Sequence, residues 1–221
     1  MTTRLPLFPL GLVLVPGMVL PLHVFELRYR DLVADLLELP EAERRFGVVA
    51  IRAGREVGDD GVVALHDVGC TAHLRSVEPY ADGRFDLVTT GEQRFRLLEV
   101  HRDRSYLAGS VELLEEREGQ GGADLAVAVR AALADYVRAL SGAGAAEAVV
   151  PDLPHDPRSL GYVVAAATRI DLAERQALLA QPDDAARLTV ALALLRREVR
   201  LLGRLAAVPA PELARTPLSP N

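Results

Sequence analysis

The chain has 221 residues, half of them hydrophobic, a formal net charge of −6 and a single cysteine. That length buries one good core or two small ones but not a multidomain machine, and an acidic balance argues against general nucleic-acid binding, which needs a basic surface to neutralise phosphates. The Lys+Arg total of 25 is entirely arginine, so a P-loop, a Ser-Lys dyad or a Schiff base, each of which needs a lysine amine, cannot be assembled.

The first feature along the chain is an apolar run over residues 5–29, broken by Pro6, Pro9, Pro16 and Pro21. A spanning helix needs about 20 uninterrupted apolar residues, and each interior proline costs about 3 kcal/mol. No membrane association is therefore expected. The first alanine is Ala34, so a small-x-small cleavage site is missing, and the run is expected to belong to the folded protein. Tyr29, Leu32, Val33, Leu36 and Leu37 then recur at helical steps, and Pro40 ends the pattern. Strand-like runs follow at 45–51, 62–65, 70–74, 85–90, 91–98 and 106–111, with Asp82-Gly83 as a hairpin turn. Short strands at this spacing suggest a compact barrel or folded sheet, with the helix plugging or flanking it.

Composition shifts between Glu115 and Gly122. Beyond the Gly119–Gly122 hinge, Leu125, Val129, Leu133, Tyr136, Val137 and Leu140 share one helical face. After a loop with Pro151 and Pro154, Asp156-Pro157 reads as an N-cap and first helical residue, opening a helix that buries Leu160, Val163, Val164 and Ala167. Asp171 and Glu174 form a capping-box pair, and Leu188, Leu192, Leu195, Val199 and Leu202 make a bundle seam. The expected division is a β-rich lobe over 1–118, a helical lobe over 123–206, and a disordered proline-rich tail over 207–221. One cysteine permits no internal disulfide, which fits a reducing compartment and makes the cytoplasm the expected location.

Leu5-Pro6-Leu7-Phe8-Pro9-Leu10, Pro16-Gly17, Pro21-Leu22 and Val24-Phe25-Glu26-x-Arg28-Tyr29-Arg30 resemble the opening of the Lon N-terminal domain family, the substrate-binding region of ATP-dependent Lon proteases. The last group has the form typical of the stand-alone members and of the related cereblon domain. Leu27 departs from the pattern, which has proline there and so bears on the local helix start. Further landmarks are Phe46-Gly47-Val48-Val49, Val68-Gly69-Cys70-Thr71-Ala72, Gly91-x-x-Arg94-Phe95-Arg96-Leu97, Leu160-Gly161-Tyr162, Gln176-x-Leu178-Leu179 and Arg187-Leu188. The resemblance covers about residues 4–205. It implies an α+β fold: a PUA-like pseudo-barrel lobe with one embedded helix, followed by a helical bundle. It also implies a non-enzymatic module that binds unfolded or extended polypeptide or a protein partner, a separate protease among the candidates. Lon's ATPase and its peptidase each depend on a lysine, so neither activity is expected here, and no cofactor is expected.

The signature residues Pro16, Gly17, Pro21, Phe25, Glu26, Arg28, Tyr29, Gly91, Arg94 and Phe95 are expected to be structural, leaving the polypeptide-binding residues unassigned. Glu26, Arg28, Arg94 and Arg96 read as a paired network joining helix to sheet, with ligand contact as the alternative. His66, Cys70 and His73 would share a face on a helix, as zinc ligands do. On a strand His73 points away from the other two, and a fourth ligand is missing, so no metal site is expected and Cys70 reads as a small core residue among Ala72 and Leu74. Asp59-Asp60 and Asp183-Asp184 suit turn or helix-start positions. Arg196, Arg197, Arg200 and Arg204 form a basic patch that reads as a solvated outer face, with an acidic partner or RNA as the alternative. Two other functional classes are weighed: a nucleic-acid-binding PUA-like protein, and a hydrolase using Cys70 or a His/Cys metal site.

Overall fold

A computed structural model describes residues 2–54, 62–142 and 153–207. Asp59-Asp60, Pro151 and the 208–221 stretch of the tail lie outside the described residues. Seven strands come first: β1 Thr2–Leu10, β2 Val19–Val24, β3 Arg45–Gly54, β4 Val62–Leu65, β5 Val68–Pro79, β6 Phe85–His101 and β7 Ala108–Leu113. Helix α1, Leu27–Leu37, is inserted after β2, and a 3-10 turn at Glu41–Glu43 leads into β3. Four helices follow: α2 Gly122–Gly142, α3 Pro157–Ala167, α4 Leu172–Leu179 and α5 Asp184–Ala207.

The sheet runs β1-β7-β6-β5-β3-β4, and β1 also pairs in parallel with β3 through Leu7↔Gly47 to Leu10↔Ala50. That second pairing closes a five-stranded ring, leaving β4 outside it on β3 and β2 outside it on β6. Closure removes the edges that an open sheet would leave unpaired. β6 is one 17-residue strand, not the two separate runs expected from sequence. It continues through Gly91 because its first half pairs with β2 and its second half with β7, while β5 accompanies most of its length. The expected hairpin turn is present, closed by the Gly83 N–H donating to the Tyr80 carbonyl at 2.9 Å.

Three apolar clusters hold these layers. Leu5, Leu7, Val49, Phe95 and Val111 fill the ring. Tyr29, Leu32, Val33 and Leu36 of α1 pack with Phe8, Leu20, Phe46, Cys70, Ala72 and Leu74, with Phe8 and Tyr29 stacked at 3.9 Å between ring centroids. Burying such a side chain contributes about 1.5–3 kcal/mol, so this face alone anchors the helix. The largest cluster contains the helices' Val129, Leu133, Tyr136, Leu160, Leu188 and Leu195, and it also takes in Val13, Val15, Ala50 and Val68 from the strand region. The helices therefore rest on the sheet through a shared apolar core.

Helix starts follow the local chemistry. Asp156 accepts from the Arg158 and Ser159 amides, and the Asp171/Glu174 capping box is complete. The buried face of α3 is Leu160, Gly161, Tyr162, Val164 and Ala165; Ala167, expected inside, is exposed at the last position of the helix. Gly161 faces α5 because a β-carbon there would come within 2.7 Å of the Arg187 side chain.

Candidate functional site

β2 pairs only with β6 among the described strands, in the register Val19↔Thr90, Pro21↔Val88 and His23↔Asp86. Its alternation places Leu20 and Val24 in the core and Val19, Pro21 and His23 outside. Proline lacks the amide donor that a central strand needs, so Pro21 suits a strand paired on one side. The outer row continues onto Phe25 and Leu27 at the start of α1 and onto Val88 of β6. Val19 is 59%, Phe25 52%, Leu27 72% and Val88 39% exposed, so the group forms an apolar surface in water. Beside it, a hollow of about 200 Å³ is lined by Phe8, Leu10, Pro21, Leu22, Phe25 and Tyr29, among others.

A polar aromatic cluster bounds this surface on the hairpin side. The Tyr80 hydroxyl donates to Asp86 at 2.5 Å, His23 Nδ1 faces the other Asp86 oxygen at 2.6 Å, and Arg84 lies 5.5 Å over the Tyr80 ring. Hydrogen bonds from Tyr80 and then His23 hold the Asp86 carboxyl below its ordinary value. The rim thus carries fixed hydrogen-bonding groups next to an apolar floor, an arrangement suited to holding an extended chain by side-chain burial with polar contacts at one end.

The four signature charges do not form one network. Glu26 and Arg28 pair with each other at 2.8 Å where β2 gives way to α1, and Arg28 stands 4.6 Å over the Tyr29 ring. Arg96 is exposed and meets Glu112 at 3.5 Å. Arg94 is buried, donates to Glu116 at 2.6 Å and reaches the carbonyls of Leu179 and Gln181 at 2.9 and 2.6 Å. Its joint is between the sheet and the end of α4, rather than between the sheet and α1.

Tyr162 and Arg187 stand among the landmark motifs without a role, and Glu116, which joins them, carries no signal in the sequence. Arg187, also buried, pairs with Glu116 at 3.1 Å, donates to the Leu178 carbonyl at 3.3 Å and lies 4.0 Å over the Tyr162 ring, whose hydroxyl donates to Glu116 at 2.6 Å. Burial pushes the Tyr162 hydroxyl up and pulls the Arg187 guanidinium down. Burial is also the largest influence on Glu116 and acts to raise it. The Tyr162 hydroxyl and the Arg187 and Arg94 guanidiniums together outweigh it and hold the carboxyl below its ordinary value. A cleft of about 390 Å³ opens beside the joint, between Pro16, Gly17 and Met18 on one side and Ser159, Tyr162 and Val163 on the other.

Pro16 and Gly17 make the turn that meets Gly91: the Gly17 amide donates to the Gly91 carbonyl at 2.8 Å and the Gly91 amide to Met18 at 2.9 Å. A β-carbon on Gly91 would lie 2.3 Å from the Val15 carbonyl oxygen, so only glycine allows this approach. Phe95 is buried inside the ring. Cys70 sits in the core with Ala72 and Leu74, and burial pushes its thiol far up, away from a reactive thiolate. Both His73 nitrogens face protein oxygens, Glu92 at 2.8 Å and the Glu41 carbonyl at 3.1 Å, while His66 lies outside the strands with its imidazole pulled down by burial. The described residues contain no group of three or more His, Cys, Asp or Glu placed to hold a metal ion. They also contain no helix long and apolar enough to cross a membrane.

The outer row of β2 had one readable signal in the sequence. Residues 19–25 are apolar at nearly every position, so both faces of the strand are apolar, and Pro21 marks it as an edge.

Comparison with known proteins places this geometry. A family model described as the ATP-dependent protease La (LON) substrate-binding domain matches residues 4–197. Lon protease of Anaeromyxobacter dehalogenans is 28% identical over 202 residues, 90% of this chain and 24% of that protein. Lon protease 2 of Herpetosiphon aurantiacus is 30% identical over 183 residues, 80% of this chain and 22% of that protein. The chain thus spans about a quarter of the length of the curated relatives it matches. Among solved structures, the Lon N-terminal domain protein from Xanthomonas campestris aligns with a TM-score of 0.62 at 26% identity, covering 86% of this chain and 98% of that one. The N-terminal domain of Mycobacterium avium complex Lon protease aligns with a TM-score of 0.65 at 18% identity over 88% of this chain and 98% of that one, a likeness of fold.

Proposed function

The chain belongs to the family of the ATP-dependent protease La (LON) substrate-binding domain, and from that membership we propose that it is a non-enzymatic binding module for extended or unfolded polypeptide. The apolar row of Val19, Pro21, Phe25 and Val88, with the hollow beside Phe25, is its client surface. One observation carries this reading: four large apolar side chains are held in water around one edge, Val19 on strand β2, Phe25 and Leu27 where that strand passes into α1, and Val88 on the paired strand β6, while Leu20 and Val24 on the inward face of β2 are buried. Such surface is costly to leave exposed and marks an interaction site. A client chain gains by burying its own apolar side chains there, and the edge of β2 offers backbone groups as well.

Polypeptide is favoured over nucleic acid by the net charge of −6 and by the absence of arginine from the outer positions Val19, Pro21, His23, Phe25 and Val88, where the charged partner of His23 is the carboxylate of Asp86. A chain without lysine lacks the amine on which Lon-type ATP hydrolysis and peptide cleavage depend, and a buried, protonated Cys70 offers no nucleophile in its place. Work on the client then falls to a partner, with a separate protease the natural candidate and the cytoplasm the setting. The division into a β lobe over 1–118 and a helical lobe over 123–206 is proposed with it. The remaining signature residues serve the scaffold, while Pro21 and Phe25 serve the surface.

The test presents a model substrate in native and permanently unfolded forms to the wild-type protein and to Phe25→Asp and Val88→Asp variants. Wild type is expected to retain only the unfolded form, and each variant to lose at least tenfold in affinity. Equal, negligible retention of both forms by wild type would sink the proposal.

A further inference from the structure

The last helix carries a second surface, unrelated to the client row. Residues 196–204 of α5 hold four arginines against one glutamate, in a chain that is acidic as a whole. Arg197 is accounted for: it takes Glu174 of α4 with both terminal nitrogens and Glu198 at 2.6 Å. Arg196, Arg200 and Arg204 are exposed and make no ion pair or side-chain hydrogen bond among the described residues. Glu198, the one carboxylate in this half of α5, is spent on Arg197, whose pairing leaves its neighbours uncompensated.

At four-residue steps the three free guanidiniums stand one above another over about 12 Å of helix, with 1.5 Å of rise per residue. Like charges in this i, i+4 arrangement repel and destabilise the helix that carries them. Proximity to the helix C-terminus accounts for Arg204 alone, because the dipole's influence fades within the last turn. Exposed Ala193 lies within the same stripe and half-exposed Leu201 on its flank, so a partner can approach closely at one end and bury an apolar side chain at the other.

We propose that this face of α5 docks an acidic helical segment of a protein partner, one presenting carboxylates at matching four-residue steps. Each guanidinium then meets a carboxylate, the geometry in which arginine forms paired, charge-assisted hydrogen bonds. A long polyanion fits less well. The chain as a whole carries a net charge of −6, which disfavours a polyanion reaching past the three arginines, whereas a short acidic helix ends where the arginines end.

The experiment uses the full chain and a labelled helical peptide with glutamates at three successive four-residue steps. A sequence-scrambled peptide of identical charge and a single-stranded oligonucleotide serve as comparisons, read by fluorescence anisotropy at low and physiological salt. Wild type is expected to bind the ordered peptide at least tenfold more tightly than the scrambled one. Arg196→Gln/Arg200→Gln/Arg204→Gln should lose that binding while keeping its helical circular dichroism and its retention of unfolded client. Lysine at the same three positions should restore only part of it, since an ammonium does not pair in the bidentate manner. Failure of wild type to bind, equal binding of the two peptides, undiminished binding by the triple glutamine variant, or tighter binding of the oligonucleotide would each overturn the proposal.

Discussion

From β2 into the start of α1, Val19, Phe25 and Leu27 stand in water at 59%, 52% and 72% exposure, while Arg94 and Arg187 lie inside at 2% and 0%. Buried charges are rare and single exposed apolar side chains are not, so the row is informative as a cluster, and the two places differ in what compensates them. The arginines are compensated within the molecule by the Glu116 carboxylate, which also accepts from the Tyr162 hydroxyl, by the Tyr162 ring under Arg187, and by the carbonyls of Leu178, Leu179 and Gln181. Those carbonyls lie at the C-terminal end of α4, where the helix dipole also favours a cation. The β2 row has no such internal answer. Buried charges that find partners inside tie the sheet to the helices, whereas apolar groups left in water remain available to a partner, as the proposed client surface requires.

That contrast can be broken by substitution. Arg94→Met should have the largest effect on stability, about 3 kcal/mol, because it leaves Arg187 and Glu116 in a half-filled site and strips two carbonyls of their donor. Chemical denaturation measures it, and a loss under about 1 kcal/mol would show that the joint contributes little. Gly91→Ala comes next, at about 1–3 kcal/mol, since the new methyl would be driven into the Val15 carbonyl, a backbone group that cannot swing aside.

The acid limb of stability sharpens the same comparison. Glu116 is held below its ordinary value of 4.5 in the folded chain. Its contribution is therefore complete above that pH and is lost as pH falls through the lower folded value. Wild type should lose stability on acidification in that window more steeply than Glu116→Gln, which has no proton to take up there. Parallel acid limbs for the two proteins would remove Glu116 from the account. The smallest change in stability, within about 0.5 kcal/mol, is expected for Phe25→Asp and Val88→Asp. The same two variants should carry the largest loss of client binding, which would separate surface from scaffold.

Much of the fold could be read from local pattern. The α1 face, the Asp156 N-cap, the Asp171/Glu174 capping box and the Asp82-Gly83 turn all depend on residues within a few positions of each other, and all are present as expected except that Leu37, at the end of the α1 face, is exposed. The site was less legible. Val19, Leu20, Pro21 and Leu22 look alike as letters, and only the pairing of β2 with β6 decides which of them face water.

Sequence by itself determined the helices, their caps, most of the strands after residue 45 and the family resemblance, because each rests on short-range periodicity or on residues read in order. The tertiary structure alone decided what the charges do. Glu26 and Arg28, two positions apart, pair where they stand, but Arg94 finds Glu116 across 22 residues and Gln181 across 87. Such partners are chosen by how the ring closes and where α4 ends against it. Loop closure costs only entropy that grows slowly with length, so a distant partner is as available to a buried arginine as a near one, and no local spacing marks it.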